Sequence, residues 1–295
     1  MFEVTDLQYK YPTGKEDTIK GLSFGFEKGE IFGFLGPSGA GKSTTQKLMI
    51  GILKGFRGSI LYQGKDLRDY GRSIYAEIGV GFEVPVHFSK LTAMENLDFY
   101  RRLYPERIEL EPILRRVGLW EDRNKRVAEY SRGMKVRLNF VRAMLNRPKM
   151  LFLDEPTAGL DPQNARVLKD IIAEYREAGG TVFLTTHMMH DADELCDRVA
   201  FIADGQIREV DSPMSLKLRY GNRLLYVEYR ERAEAPDGDR GGGADNQRAT
   251  YPLDGLGENE EFLRVLKTKE IVTIRSGETT LDDIFIKVTG VRLNA

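Results

Sequence analysis

Eight residues, Gly36-Pro-Ser-Gly-Ala-Gly-Lys42-Ser43, constrain this chain more than any other stretch of its sequence. They follow an apolar run at 30–35 and precede residues 44–53, where apolar positions recur at helical spacing until Gly55 and Gly58 impose a turn. A strand that turns through glycines straight into a helix leaves backbone N–H groups free to curl around an anion. The helix N-terminus adds positive potential at the same point. Lys42 is placed to reach the outer phosphates of a nucleotide, and Ser43 to ligate Mg²⁺. The spacing and the strand-to-helix context predict a phosphate loop of Gly36, Pro37, Ser38, Gly39, Ala40, Gly41, Lys42, Ser43 and Thr44.

The length of 295 residues allows one large domain or two smaller ones. Forty-four Lys and Arg against 45 Asp and Glu leave a formal charge of −1, so no global basic field points to nucleic acid as a partner. No apolar run approaches the roughly 18 residues of a membrane span, and the longest, such as 199–203, are strand-sized. The opening residues carry no charged leader followed by an apolar block, which predicts residence in the cytosol. Cys196 is the sole cysteine, so an intrachain disulfide is excluded, and with three His it argues against structural zinc.

Further short strands are expected at 2–4, 22–26 and 58–62. Residues 93 to about 146 read as a helical subdomain, with helices at 96–104, 112–117 and 135–146. From Lys149 strands alternate with helices: strand 150–153, helix 163–178, strand 182–185, helix 191–196, strand 199–203. That alternation predicts a parallel sheet covered by helices, an α/β fold. Composition shifts after Ser212, so residues 1–212 form one expected domain and 213–295 a small α+β extension. Within the extension, strands at 224–229, 249–253 and 271–274 and helices at 258–266 and 281–288 flank a segment, 231–248, poor in aliphatic residues and expected to be flexible.

Two further groups carry chemistry. Met150-Leu-Phe-Leu-Asp154-Glu155-Pro156 is a buried-strand pattern with two carboxylates at its C-terminal end, where open α/β sheets bind ligands. Asp154 is suited to holding Mg²⁺ through water, and Glu155 to accepting a proton from an attacking water. Tyr130-Ser131-Arg132-Gly133-Met134 leads into a helix, where Ser131 alone reads as an N-cap.

The order of phosphate loop, Ser-x-Gly at a helix start, apolar strand ending Asp-Glu-Pro, Ala158-Gly-Leu-Asp161 and Thr186-His187 resembles the ATPase subunit of an ABC transporter. The resemblance covers residues 1 to about 212 and implies a P-loop NTPase of ABC type with an antiparallel β subdomain and a helical subdomain. It implies ATP and Mg²⁺ as cofactors, and two copies closing on two ATP molecules. Ser131, Arg132, Gly133 and Met134 then stand for a signature sequence facing the partner's γ-phosphate, with Arg132 and Met134 departing from its consensus. By the same resemblance His187 contacts the γ-phosphate and Asp161 couples the two sites. Tyr11 stacks on adenine, with Tyr9 as the alternative. Glu83 occupies a metal-ligating position usually held by Gln, beside Ser43 and Asp154.

The variant Tyr-Ser-Arg-Gly-Met is similar to the branch paired with ABC-2-type membrane subunits, the drug and antibiotic exporters. It implies a separate transmembrane partner, a peripheral place on the inner face of the cell membrane, and a docking stretch at 82–94. The alternatives are a soluble ABC ATPase of translation or DNA maintenance and an ordinary phosphate-loop kinase or GTPase. The first lacks the second cassette or basic insertion it needs, and the second leaves Ser131 and His187 unexplained.

Overall fold

The computed structural model describes residues 1–105, 108–221, 224–231, 246–277 and 279–292. The chain folds as two compact units, Met1–Pro213 with the chain from Val288 on, and Met214–Lys287.

The first unit opens with an antiparallel sheet of strands β1 (Phe2–Tyr9), β2 (Ile19–Phe26), β4 (Arg57–Tyr62) and β5 (Lys65–Asp66), in the order β2-β1-β4-β5. Gly58 lies inside β4 rather than in a turn. A Cβ there would overlap the carbonyl of Asp6, which takes a positive φ at the bulge of β1, so the close approach of two backbones explains the glycine.

A second sheet has the order β10-β9-β3-β8-β7-β6. Its strands are β3 (Ile31–Leu35), β6 (Ile78–Gly81), β7 (Met150–Asp154), β8 (Thr181–Thr186), β9 (Arg198–Ala203) and β10 (Gln206–Asp211). All its pairings are parallel except that of β10 with β9, so the parallel sheet carries one antiparallel edge. β3, β7 and β8 are buried at every residue, the three threonines of β8 and Asp154 of β7 included, as strands covered on both faces are.

Phenylalanines join the two sheets. Phe26 stacks on Phe32 at 5.2 Å between ring centroids, Phe34 meets Phe183 at 5.6 Å, and Phe2 meets Phe152 edge-on at 5.7 Å. Cys196 is buried against β3, where a Cβ at Gly33 would come within 2.7 Å of its sulfur, and burial raises its thiol pKa.

The helices of this unit are α1 (Lys42–Met49), α2 (Ala93–Arg101), α3 (Leu110–Arg116), α4 (Arg132–Ala143), α5 (Pro162–Glu177) and α6 (Met189–Leu195). α1 ends at Met49 instead of residue 53, because Gly51 takes φ +74° and breaks the ladder. α2 starts at a capping box of Thr92 and Glu95, three residues before the apolar spacing suggested. α4 runs 132–143 rather than 135–146, since the Ser131 cap sets its start.

The second unit holds a sheet of order β12-β11-β13, built from β11 (Leu224–Glu231), β12 (Gln247–Pro252) and β13 (Lys269–Gly277). The helices are α7 (Pro213–Tyr220), α8 (Glu260–Thr268) and α9 (Leu281–Thr289), the first and last of which extend by a residue or two into the other unit's range. Leu225, Val227 and Tyr251 of the sheet pack on Phe262 and Val265 of α8. Of the segment 231–248 expected to be flexible, Glu231, Gln247 and Arg248 belong to strands, and 232–245 lie outside the described residues. Among the described residues no helix is long and apolar enough to cross a membrane.

Candidate active site

β3 delivers the chain into the glycine loop at Leu35, and α1 takes it away at Lys42. Gly36 is required by contact, since a Cβ there would overlap the carbonyl of Ile202 on β9. Gly41 is required by conformation, with φ +109° at the N-cap, and it offers α1 no side-chain cap. The first N–H groups of α1 therefore remain available to an anion. Lys42 Nζ folds back to donate to the carbonyls of Gly36 at 2.6 Å and Pro37 at 3.2 Å. Burial holds the Lys42 pKa below its ordinary value, against the opposing pull of Glu155, Asp154 and Glu83.

β7 ends in Asp154, whose carboxylate accepts from Thr185 Oγ1 on the neighbouring β8. Glu155 follows with φ +48°, a conformation that a non-glycine residue adopts only when its surroundings enforce it. Its carboxylate is almost out of water and held at both oxygens. Thr186 Oγ1 donates to Oε2 at 2.9 Å, the His187 ring Nδ1 meets Oε1 at 2.8 Å, and Lys42 Nζ lies 3.8 Å from Oε1. The His187 side chain is 43% exposed and so opens to the cavity from the carboxylate it touches.

These groups surround one cavity of about 340 Å³. Pro37, Ser38, Gly39, Gly41, Lys42, Ser43 and Thr44 form its floor, and Asp154, Glu155, His187 and Glu83 its far wall. Gly36 and Ala40 support the loop instead: Gly36 turns its carbonyl to Lys42, and Ala40 is buried. Ser43, Glu83 and Asp154 bring only oxygen donors to the cavity, as a hard divalent cation prefers. Among the described residues no cluster of three or more His, Cys, Asp or Glu is arranged for a metal. An ion here would need phosphate and water oxygens as well, which is the habit of Mg²⁺.

The other expected residues lie elsewhere. Tyr11 does not line the cavity, but its hydroxyl is 3.2 Å from Thr44 Oγ1, at the end of the loop. Tyr9 is buried in the core with its ring edge-on to Tyr11 at 5.1 Å. Ser131 caps α4, accepting from Met134 N at 3.2 Å, and is exposed. The Arg132 side chain lies over Gly159, and Gly133 faces Leu160. Asp161 caps α5, and hydrogen bonds from Asn164 hold its carboxyl below the usual range. None of residues 131–134 or 161 lines the cavity.

Sequence reading missed Thr18 on the cavity wall and Thr186 on Glu155. Thr18 belongs to no motif and is placed by its backbone bond to Tyr9. Thr186 ends the wholly buried β8 and was read only as the neighbour of His187, with no contact of its own assigned to it.

Residues 19–158 match the family described as ABC transporter, and 240–278 match the fluoroquinolone efflux ABC transporter C-terminal domain. A fluoroquinolones export ATP-binding protein of Mycobacterium tuberculosis is 47% identical over 294 residues, covering 99% of this chain and 94% of that protein. The chain belongs to the ABC transporter ATP-binding proteins. This ABC ATPase is also 33% identical to the linearmycin resistance ATP-binding protein of Bacillus subtilis, over 76% of its own length and 73% of that protein's. A solved ATP-binding subunit of an ABC transporter superposes with a TM-score of 0.68 at 28% identity, over 75% of this chain and 93% of that one. The ABC ATPase is thus an ATP hydrolase of the kind that powers transport, and the two sheets of its first unit carry the P-loop fold of that family.

Proposed function

We propose that two copies of this chain close around two molecules of Mg-ATP, and that closure and hydrolysis drive a separate ABC-2-type membrane subunit in drug or antibiotic efflux. The observation that carries the reading is the division of the site. The cavity holds the phosphate loop, Glu155 and His187, yet Ser131 to Met134 present an exposed helix start outside it. A second copy is the natural source of that helix start for the nucleotide's open side.

In this reading Lys42 and the loop N–H groups hold the phosphates. Ser43, Asp154 and Glu83 hold Mg²⁺, which when bound neutralises charge on the phosphate oxygens. Glu155 orients the attacking water and takes its proton, a role worth roughly 10²- to 10⁴-fold in such reactions. Thr186 and His187 fix the two carboxylate oxygens, so the base is aimed before the nucleotide arrives. Tyr11 reaches toward the adenine side from Thr44. Asp161 lies at the seam between copies, where its helix start faces the partner.

The docking stretch 82–94 supports a membrane partner. Val84 and Val86 are 71% and 70% exposed, Phe88 is exposed too, and beside them lies a groove of about 370 Å³ walled by Phe82, Tyr100 and Tyr104. Such a partner would hold the ATPase at the cytoplasmic face of a membrane. The drug class rests on the relatives' names, for fluoroquinolones export and linearmycin resistance.

The test is turnover of the purified chain against its own concentration. A second-order rise at low concentration that is abolished by Ser131→Ala supports the dimer, and first-order turnover that survives the change contradicts it. Co-purification with a membrane subunit, rather than with ribosomes or DNA, supports the transport role over a soluble ABC ATPase.

A further inference from the structure

Behind the cavity lies a buried polar cluster that none of the motifs includes. Thr157 Oγ1 donates to Asp191 Oδ2 at 2.5 Å, and Lys169 Nζ donates to Asp191 Oδ1 at 3.2 Å. The three residues are only 4%, 5% and 8% exposed. Lys169 also pairs with Glu194, which in turn takes Arg166 Nη1 at 2.8 Å. Burial pulls the Lys169 pKa down, but the bond it donates to Glu194 and the charge of Asp191 outweigh it, so the ammonium stays charged.

The three elements joined here are the ones that carry the reacting groups. Thr157 is two residues beyond Glu155, in the loop that leads to Asp161. Asp191 is four residues beyond His187, in the first turn of α6. Lys169 lies on α5, whose N-cap is Asp161. A single carboxylate therefore ties the loop of the base to the helix behind the histidine. That tie matters because Glu155 sits at φ +48°, a backbone state that relaxes unless neighbouring contacts hold it. Backbone bonds from Glu155 N to Thr185 O and from Ala158 N to Glu155 O close the turn, and the Thr157 side chain adds a tie from behind it to α6.

We propose that Asp191 is a positioning residue for hydrolysis, holding Glu155 and His187 in register through Thr157 on one side and Lys169 on the other. The inference rests on the reading of Glu155 as the base. Asp191 does not line the cavity; it sets where the lining groups stand. Because the phosphate loop is not part of the cluster, ATP binding and ATP cleavage should respond differently to its removal.

The experiment uses the full chain with Thr157→Val, which keeps the shape and removes the hydroxyl, Thr157→Ser, which restores it, and Glu155→Gln as reference. For each, kcat, KM for ATP and the thermal midpoint are measured, and ATP binding reports that the protein is folded. We expect Thr157→Val to lower kcat about ten- to a hundredfold with KM within about twofold, and Thr157→Ser to recover most of it. Equal losses in the Val and Ser variants, or a loss shared by kcat and KM in step with a falling midpoint, would overturn the positioning role. An unaltered Thr157→Val beside an inactive Glu155→Gln would overturn that role alone. Turnover that survives Glu155→Gln would overturn the reading of the base and this inference with it.

Discussion

Lys42 Nζ and Glu155 Oε1 form an ion pair at 3.8 Å in the wall of the phosphate-loop cavity, each side chain under a tenth exposed. Two opposite charges out of water compensate each other, and removing one leaves the other stranded. Lys42→Ala should lower the stability of the nucleotide-free protein by about 3 kcal/mol. Glu155→Gln in the same chain should reduce that loss, because a neutral amide needs no ammonium. ATP affinity should fall roughly a hundredfold with the alanine. Urea unfolding and an ATP titration read the two effects, and affinity within threefold of the parent would remove Lys42 from the phosphate site.

Glu83 faces the same cavity from just beyond β6 and adds a full negative charge where the phosphates would come. Repulsion between them is relieved only when a divalent ion lies between. Hydrolysis should therefore depend more steeply on Mg²⁺ in this chain than in its Glu83→Gln variant. Superimposable Mg²⁺ titrations of the two would refute the idea.

His87 supplies a pH dependence. Its Nε2 donates to the carbonyl of Lys135 at 3.1 Å, and burial, its main cause, lowers the ring pKa to about 4. The unfolded chain takes up this proton near pH 6.5 and the native chain does not until about 4. Between those values the unfolded state binds more protons, so stability is lost as the pH is lowered from about 6.5 to about 4 and is unaffected above that window. The loss should reach about 2 kcal/mol once partial solvent screening is allowed for. His87→Gln should flatten this part of the curve, read as the urea midpoint from pH 7 to 4.

The exposed valines test the docking face. Val84→Asp with Val86→Asp places two charges on an apolar surface without touching the cavity. The double variant should keep the ATP turnover of the isolated chain to within about twofold and cost less than about 0.5 kcal/mol of stability. It should lose co-purification with the membrane subunit. Retained co-purification would move the docking face elsewhere.

The parts of the site written as contiguous motifs were legible: an apolar strand into glycines gave the loop at 36–44, and an apolar strand into two acids gave Asp154 and Glu155. What escaped was set by distant partners. β6 carries Gly79 because a Cβ there would overlap the carbonyl of Ala143 on α4, a contact that no local pattern announces. β10, with polar residues at an edge, and α7, opening just past the composition break, both went unread. Tyr9 and Tyr11 look alike in the sequence, and only the packing of β1 buries the first. The Thr157–Asp191–Lys169 cluster joins positions 22 and 34 apart, so no spacing rule could assemble it.

The burial of Cys196 against Gly33 has a practical consequence. Its thiol is buried and burial favours the protonated form, so the natural chain offers no reactive thiol. A cysteine introduced at an exposed site such as Gln163, in the first turn of α5, becomes the sole target for a label or a crosslinker. The approach of one copy to another can then be followed by spectroscopy on an otherwise unaltered protein.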